Sequence, residues 1–175
     1  MKPSILAVAL CALGAMSIAP CALAQKHASA KTSTSDESPP LEMLPRWAAP
    51  QSYELAIKSD PDQPGYSGTV AIAVDLKQAS DHLWLHGKDL HVSNVTVIEA
   101  NGKSHEGKYV QADADAGVAR IDFDGTLSAQ KLQLKIVFSA PYNQTLEGFY
   151  KVEFAGKVYA QTQMEPISAR YAFPC

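Results

Sequence analysis

The sequence predicts an all-β fold, and three observations support that prediction. Apolar and polar residues alternate along most of the chain, as they do in strands that bury one face. Pairs of Asn, Asp, Gly and Pro, which favour turns, separate these runs. No segment repeats its apolar residues with the period of an amphipathic helix. Short strands without intervening helices are typical of an antiparallel β-sandwich or a barrel-like sheet.

Alternating sets of apolar residues mark the strands. In chain order they are Tyr53, Leu55 and Ile57; Val70, Ile72, Val74 and Leu76; Leu83 and Leu85; Val95 and Val97; Ile121 and Phe123; and Leu132, Leu134, Ile136 and Phe138. We expect each set to be buried and the residues between its members to face solvent. Turns are predicted at 60–65, Asn101–Gly102, Asp115–Gly117, Asp124–Gly125 and Ala140–Pro141. Asn101–Gly102 gives the strongest hairpin signal, because both residues tolerate positive φ.

The domain organisation follows from three changes in composition. Residues 1–24 have the pattern of a secretory signal peptide: Lys2, an apolar run, then the cleavage signal Ala22-Leu23-Ala24. Residues 25–40 are rich in Ser, Thr, Ala and Lys and end in two prolines, which predicts a disordered linker. Residues 41–175 form the predicted β-domain. We therefore expect an exported protein that is periplasmic or secreted.

Charge and cysteine content narrow the class of protein. The 175-residue chain is 46% hydrophobic and 19% charged with a net charge of -3, so the sequence predicts a globular protein that does not bind nucleic acid. The apolar run of the signal is too short to span a bilayer, and no later run is longer. Cys11 and Cys21 leave with the signal, so no disulfide is expected. The remaining Cys175 is predicted to be exposed and able to cross-link two chains.

Two groups of histidines are candidate zinc sites. The run from His105 to Tyr109 begins like the H-E-x-x-H motif, but tyrosine replaces the second histidine and Gly107 disfavours a helix. We interpret the run as a charged flank of a hairpin. His82, His86 and His91 are close in sequence, yet no fourth ligand is in view. Solvent-facing strand positions are the preferred interpretation, with a histidine metal site as the last-ranked enzymatic hypothesis.

Two further motifs have ordinary interpretations. Residues 113–117 open like a calcium loop, but the glycine comes one place early and no glutamate closes the loop, so a turn is predicted. Asn94 and Asn143 lie in glycosylation sequons, which have a meaning only in a eukaryotic secretory host.

The C-terminal run, residues 161–175, does not alternate like a strand and carries a polar cluster. Gln163 and Glu165 flank Met164 there. A buried carboxylate beside an amide suits an ammonium group, because a charge-assisted hydrogen bond and a Coulomb attraction both favour a cation.

This run resembles the end of the N-terminal domain in the aminopeptidase N family of zinc metallopeptidases. The residues that carry the resemblance are Thr162, Gln163, Glu165, Ala169, Arg170, Phe173, Pro174 and Cys175. Earlier segments fit the same family pattern: Leu44-Pro45, Pro50 with Tyr53, Tyr66 with Gly68 and Val70, residues 83–86 with Asp89-Leu90, and residues 147–150. The resemblance covers residues 41–175 and implies a saddle-like antiparallel β-domain.

The resemblance also implies a function. Gln163 and Glu165 would bind the free α-amino group of a peptide substrate, and Met164 would lie near its first side chain or pack beneath it. In the complete family enzyme a zinc ion activates water, whereas this chain carries neither the H-E-x-x-H nor the Gly-Ala-Met-Glu-Asn motif. We expect no cofactor in this chain and no hydrolysis by it alone.

Two main hypotheses follow. In the first, the chain is the non-catalytic N-terminal domain of a zinc aminopeptidase, truncated before the catalytic domain, with that domain and peptide N-termini as its partners. It predicts exposed apolar groups around residues 163–175. In the second, the chain is a stand-alone exported β-sandwich that binds partners without catalysis. That hypothesis predicts a self-contained C-terminus with Phe173 buried.

Overall fold

The computed structural model of the chain describes residues 38–40 and 43–175. The predicted signal peptide and most of the predicted linker lie outside the described residues. The described part contains nine strands followed by one 3-10 turn, Ser168–Tyr171. The strands are β1 Ala48–Lys58, β2 Gly65–Leu76, β3 Ser80–His86, β4 His91–Glu99, β5 Ser104–Asp113, β6 Val118–Leu127, β7 Gln130–Pro141, β8 Gly148–Phe154 and β9 Lys157–Gln163. In this part of the chain no helix has the length and apolarity needed to cross a membrane.

Seven strands form one curled antiparallel sheet in the order β1-β2-β7-β4-β5-β6-β3, and β8 pairs with β9 in a separate hairpin. The order places β1 and β3 at the two edges, although residues from both strands line one cavity. The predicted all-β class and antiparallel pairing are confirmed.

The core lies on the inner face of this sheet. The central strands β2 and β7 pair over their full length, from Gly65 opposite Pro141 to Leu76 opposite Gln130. The predicted apolar sets of β2, β3, β4, β6 and β7 are all buried. Alternation at a period of two therefore identified the core face of five strands.

β1 is the exception to this pattern. Tyr53, Leu55 and Ile57 alternate as predicted but are 41%, 40% and 36% exposed. The prediction that this set is buried is wrong for the described chain. Alternation shows that a face is apolar, whereas burial requires something to cover that face.

Two glycine turns behave differently from each other. Gly102, with φ +87°, closes the β4–β5 hairpin, where its N–H donates to the Glu99 carbonyl at 2.9 Å. The predicted hairpin at Asn101–Gly102 is confirmed. Gly125, with φ +79°, lies inside β6. The predicted turn at Asp124–Gly125 is wrong, because β6 continues through the glycine to Leu127. The β3–β6 register shifts between Asp122 and Leu127.

The C-terminal run also differs from the prediction at its start. Residues 161–163 complete β9, although their polar side chains gave no strand pattern. Hairpin β8–β9 pairs from Gly148 opposite Gln163 to Phe154 opposite Lys157. Pairing with β8 therefore makes this polar segment a strand, and its own alternation could not reveal it.

Candidate functional site

The three predicted site residues lie where β9 ends. Gln163 is the last residue of that strand, and its side chain is exposed. Met164 is half-buried and packs against the core, in agreement with a packing role. Glu165 is exposed and precedes a cis peptide bond to Pro166. The carboxylate is thus on the surface, where it is accessible to a partner or a ligand, and is not buried as the sequence suggested.

The backbone on both sides of Glu165 is fixed by short-range contacts. The Ser168 N–H donates to the Met164 carbonyl at 2.8 Å. Gly148, opposite Gln163, has φ +66°, and a Cβ there would lie 2.6 Å from the Cβ of Tyr171. The hairpin and the 3-10 turn therefore approach too closely for any residue except glycine at this position.

Tyr66 ties the 3-10 turn to the central sheet. Its hydroxyl lies 2.8 Å from the Ala172 carbonyl and 3.1 Å from the Tyr171 carbonyl, to which it donates. Its ring packs edge-on to Phe149, with centroids 4.8 Å apart. Burial, and to a smaller extent the neighbouring Tyr142, raises the pKa of Tyr66 well above its ordinary value. The hydroxyl therefore stays protonated and remains a donor.

Arg170 links the same turn to the β5–β6 connection. Its guanidinium donates to the carbonyls of Ala116 and, at 3.1 Å, of Ile167. The Arg170 carbonyl accepts from the Lys88 N–H at 2.8 Å. The structural role predicted for Arg170 agrees with these contacts.

The last residue pairs with the end of β3. The His86 N–H donates to the Cys175 carbonyl at 2.6 Å, and the Cys175 N–H donates to the His86 carbonyl at 2.9 Å. The Cys175 thiol is half-buried, and burial raises its pKa to about 11, with Arg170 opposing the rise. Cys175 is therefore less exposed than the sequence suggested, and the raised pKa lowers the thiolate fraction of its thiol. Cross-linking of two chains through Cys175 stays a prediction.

The histidines do not form a metal site in the described part of the chain. His82 is buried, against the expectation that it faces solvent, and lies between Trp47 and Trp84 with Nδ1 2.9 Å from the Asp81 carboxylate. His91 is exposed on β4. His105 lies on β5, with Nε2 2.6 Å from the Glu99 carboxylate, as suits a charged hairpin flank. Among residues 38–40 and 43–175, no group of three or more His, Cys, Asp or Glu could hold a metal ion.

Sequence reasoning missed two residues that shape this site. Tyr66 and Gly148 both lie in segments that fit the family pattern, but the sequence predicts neither the contact of Tyr66 nor the conformation of Gly148. The available signal was the isolated glycine between Glu147 and Phe149, since a glycine at the start of a strand often marks close backbone approach.

The comparisons with known proteins agree with one another. A model of the peptidase M1 N-terminal domain family matches residues 49–175. The chain is 31% identical over 139 residues to puromycin-sensitive aminopeptidase of Caenorhabditis elegans. The aligned region covers 77% of this chain and 15% of that protein. It is 33% identical over 136 residues to aminopeptidase M1-C of Oryza sativa subsp. japonica, covering 75% of this chain and 15% of the relative. Glutamyl aminopeptidase of Sus scrofa is 28% identical over 146 residues, with the same coverage of 75% and 15%.

The chain thus spans about 15% of the length of the curated relatives that it matches. The similarity falls on the described β-domain, from the start of β1 to Cys175.

Proposed function

The chain belongs to the peptidase M1 N-terminal domain family, and from this membership we propose that it serves as the non-catalytic N-terminal domain of an exported zinc aminopeptidase. The observation that carries the proposal is the family match over residues 49–175, together with relatives that are named aminopeptidases. Export to the periplasm or the exterior is the part of the proposal that depends on the signal-like residues 1–24.

Within that enzyme, Gln163 and Glu165 would hold the free α-amino group of the substrate. Both side chains are exposed at the end of β9, and the Ser168–Met164 hydrogen bond and the Gly148 contact fix the backbone around them. In the described part of the chain, no basic side chain forms an ion pair with Glu165, so its charge is available to an ammonium group. A fixed carboxylate distinguishes a charged N-terminus from an uncharged internal amide.

The hydrolytic step would belong to a catalytic domain. A zinc ion held there would activate the attacking water. The described residues of this chain provide no ligand set for that ion. The contribution of this chain would be to bind and orient the amine end of the peptide.

A partner domain would also cover apolar surface on this chain. Ile167, two residues after Glu165, is 60% exposed, and the β1 side chains Tyr53, Leu55 and Ile57 form an exposed apolar stripe. We call these three β1 residues the β1 stripe. Contiguous apolar surface of this kind marks interaction sites.

The alternative is a stand-alone binding module, and one observation favours it. The C-terminal segment is already packed: Ala172 and Pro174 are buried, Phe173 is half-buried against the core, and Cys175 pairs with His86. The described residues of the β-domain therefore pack residues 172–175 without contacts from another domain.

Glu165→Gln in the longest polypeptide that carries this sequence tests the proposal. Losing a charge-assisted bond to an ammonium should raise KM for peptides with a free N-terminus about 10- to 100-fold. Glu153→Gln, which changes an exposed glutamate on β8, is the matched control and should leave KM unchanged. If the polypeptide cleaves nothing, but the 175-residue chain binds free-amine peptides and loses that affinity on Glu165→Ala, the binding module is correct. No effect of Glu165 in either assay would reject both amine-binding roles.

A further inference from the structure

One side of β3 is paired along its length, and the other is paired only at its end. Strand β3 lies at the edge of the sheet and pairs with β6 through Leu83 opposite Ile121, Trp84 opposite Arg120 and Leu85 opposite Ala119. On the other side, which we call the free side of β3, His86 exchanges both backbone hydrogen bonds with Cys175.

The His86–Cys175 pair determines which way the backbone of Trp84 points. In an antiparallel ladder the N–H and C=O of one residue point to the same side, and consecutive residues alternate. Because His86 points to the free side, Trp84 does so too, whereas Leu85 bonds to β6. Trp84 is only 7% exposed, and outside the β3–β6 ladder its N–H and C=O bond to none of the other described residues. Buried backbone groups of this kind are ordinarily paired, since an unpaired one is costly.

An apolar cavity of about 610 Å³ adjoins the free side of β3. Leu83 and Leu85 line it from β3, and Tyr53 and Ile72 line it from β1 and β2. The charged residues in its lining are all basic, namely Arg46, Lys77 and Arg170, with His86 as the one other titratable nitrogen group. The space beside the Trp84 backbone thus suits apolar side chains, and its charged lining residues disfavour a positively charged occupant.

We propose that the free side of β3 receives an extended strand that continues from Cys175 and runs antiparallel to β3. The proposal rests on the proposed function, because a following domain supplies the polypeptide that forms this strand. The His86–Cys175 pair sets the direction, since its two mutual hydrogen bonds are those of an antiparallel ladder. Edge strands commonly accept an added strand in this way.

The register follows from the same pair. The first residue after Cys175 lies opposite Leu85, and its side chain enters the cavity beside Leu83 and Leu85, so it should be apolar. The second residue lies opposite Trp84 and exchanges both backbone hydrogen bonds with it. A strand supplies a matched donor and acceptor to Trp84 as well as side chains for the cavity, which an apolar small molecule does not.

Hydrogen exchange at the Trp84 amide tests this strand addition. We would compare the 175-residue chain with the same chain extended by Val-Thr-Val-Thr, and with a second extension that has proline in the second place. The Val-Thr-Val-Thr extension should slow exchange of the Trp84 N–H at least about tenfold, because local opening must then break a new ladder. The proline extension should slow it much less, because proline cannot donate to the Trp84 carbonyl and so removes one of the two hydrogen bonds that hold the added residue to Trp84. The Leu85 N–H, which bonds to β6, is the internal reference.

Three outcomes would overturn the proposal. The first is that neither extension changes exchange at Trp84, and the second is that both extensions slow it equally. The third is that protection of Trp84 in the unextended chain rises with protein concentration, which would assign the free side of β3 to a second copy. The readout involves neither peptide binding nor hydrolysis. If Glu165→Gln leaves KM unchanged while the extension protects the Trp84 amide, only the amine-binding role is rejected. If Glu165→Gln raises KM while the extension does not protect the Trp84 amide, only the added strand is rejected.

Discussion

At the scale of single residues, Tyr66 connects the two parts of the domain that have to be held together. It belongs to β2, but its hydroxyl donates to the carbonyls of Tyr171 and Ala172, more than a hundred residues later. Its ring lies among Phe138, Tyr142 and Phe149. Tyr66 therefore anchors the 3-10 turn that follows the exposed Glu165.

We expect Tyr66→Phe to lower the free energy of unfolding by about 1–3 kcal/mol, because the buried Ala172 carbonyl loses its donor while the ring is retained. Urea denaturation measures the change. Tyr159→Phe, which removes an exposed hydroxyl from β9, is the matched control and should change stability little. Equal stability of the two variants would mean that the hydroxyl does not hold the turn.

The stability difference between wild type and Tyr66→Phe should also depend on pH in the alkaline range. Burial raises the folded-state pKa of Tyr66 above the unfolded value of 10.0, so the protonated hydroxyl stabilises the fold below pH 10. That contribution is lost as the pH rises towards the folded-state value. The stability difference between wild type and Tyr66→Phe should therefore shrink above pH 10.

Sequence alone located the predicted site residues but not their surroundings. Gln163 and Glu165 came from a resemblance over a short run, and the comparisons confirm the family, whereas the amine-binding role stays a prediction. The burial of Tyr66 against Ala172 joins residues 106 positions apart, and no local pattern encodes such a contact. His82 was expected to face solvent but is buried, because Trp47 from the segment before β1 packs on it.

At the scale of elements, the junction of the β8–β9 hairpin with the 3-10 turn determines where Glu165 lies. Gly148 begins β8 and approaches Tyr171. A Cβ at Gly148 would also lie 3.1 Å from the Ser168 carbonyl oxygen. Gly156, at the other end of the same hairpin, has a similar φ of +71° but nothing within 4 Å of such a Cβ. A side chain at either position would have to adopt positive φ, whereas only a side chain at Gly148 would also clash with neighbouring atoms.

Gly148→Ala should therefore destabilise the domain by about 1–3 kcal/mol more than Gly156→Ala, because it adds an overpacking cost to the cost of positive φ. Thermal or urea unfolding of the two variants measures the difference. Gly148→Ala should also weaken any amine binding that depends on Glu165, and Gly156→Ala should not. If the two substitutions cost the same, the hairpin does not pack on the 3-10 turn as described.

Alternation predicted the elements well where both strands of a pair had clear inner faces. It predicted β2 and β7, whose apolar residues face each other in register. It did not reveal β9, which owes its strand conformation to β8, or the continuation of β6 through Gly125. In these places neighbouring strands determine the conformation, and the local sequence does not.

At the scale of the whole molecule, the β1 stripe is the clearest sign that the domain has an apolar surface to cover. Its three side chains point to one side of an edge strand, and Tyr53 packs edge-on to Phe173 at 6.4 Å between centroids. The stripe therefore extends towards the C-terminal segment that carries Glu165. A net charge of only -3 provides little repulsion between copies.

We expect the 175-residue chain to self-associate through this stripe, and the double substitution Leu55→Thr with Ile57→Thr to reduce the association. Threonine retains strand propensity, so the fold should persist while the apolar contact area falls. Sedimentation velocity over a range of protein concentrations measures the change. Val137→Thr, which replaces a separate exposed apolar residue on β7, is the control and should associate like the wild type. Unchanged association in the double variant would place the contact between copies elsewhere on the surface.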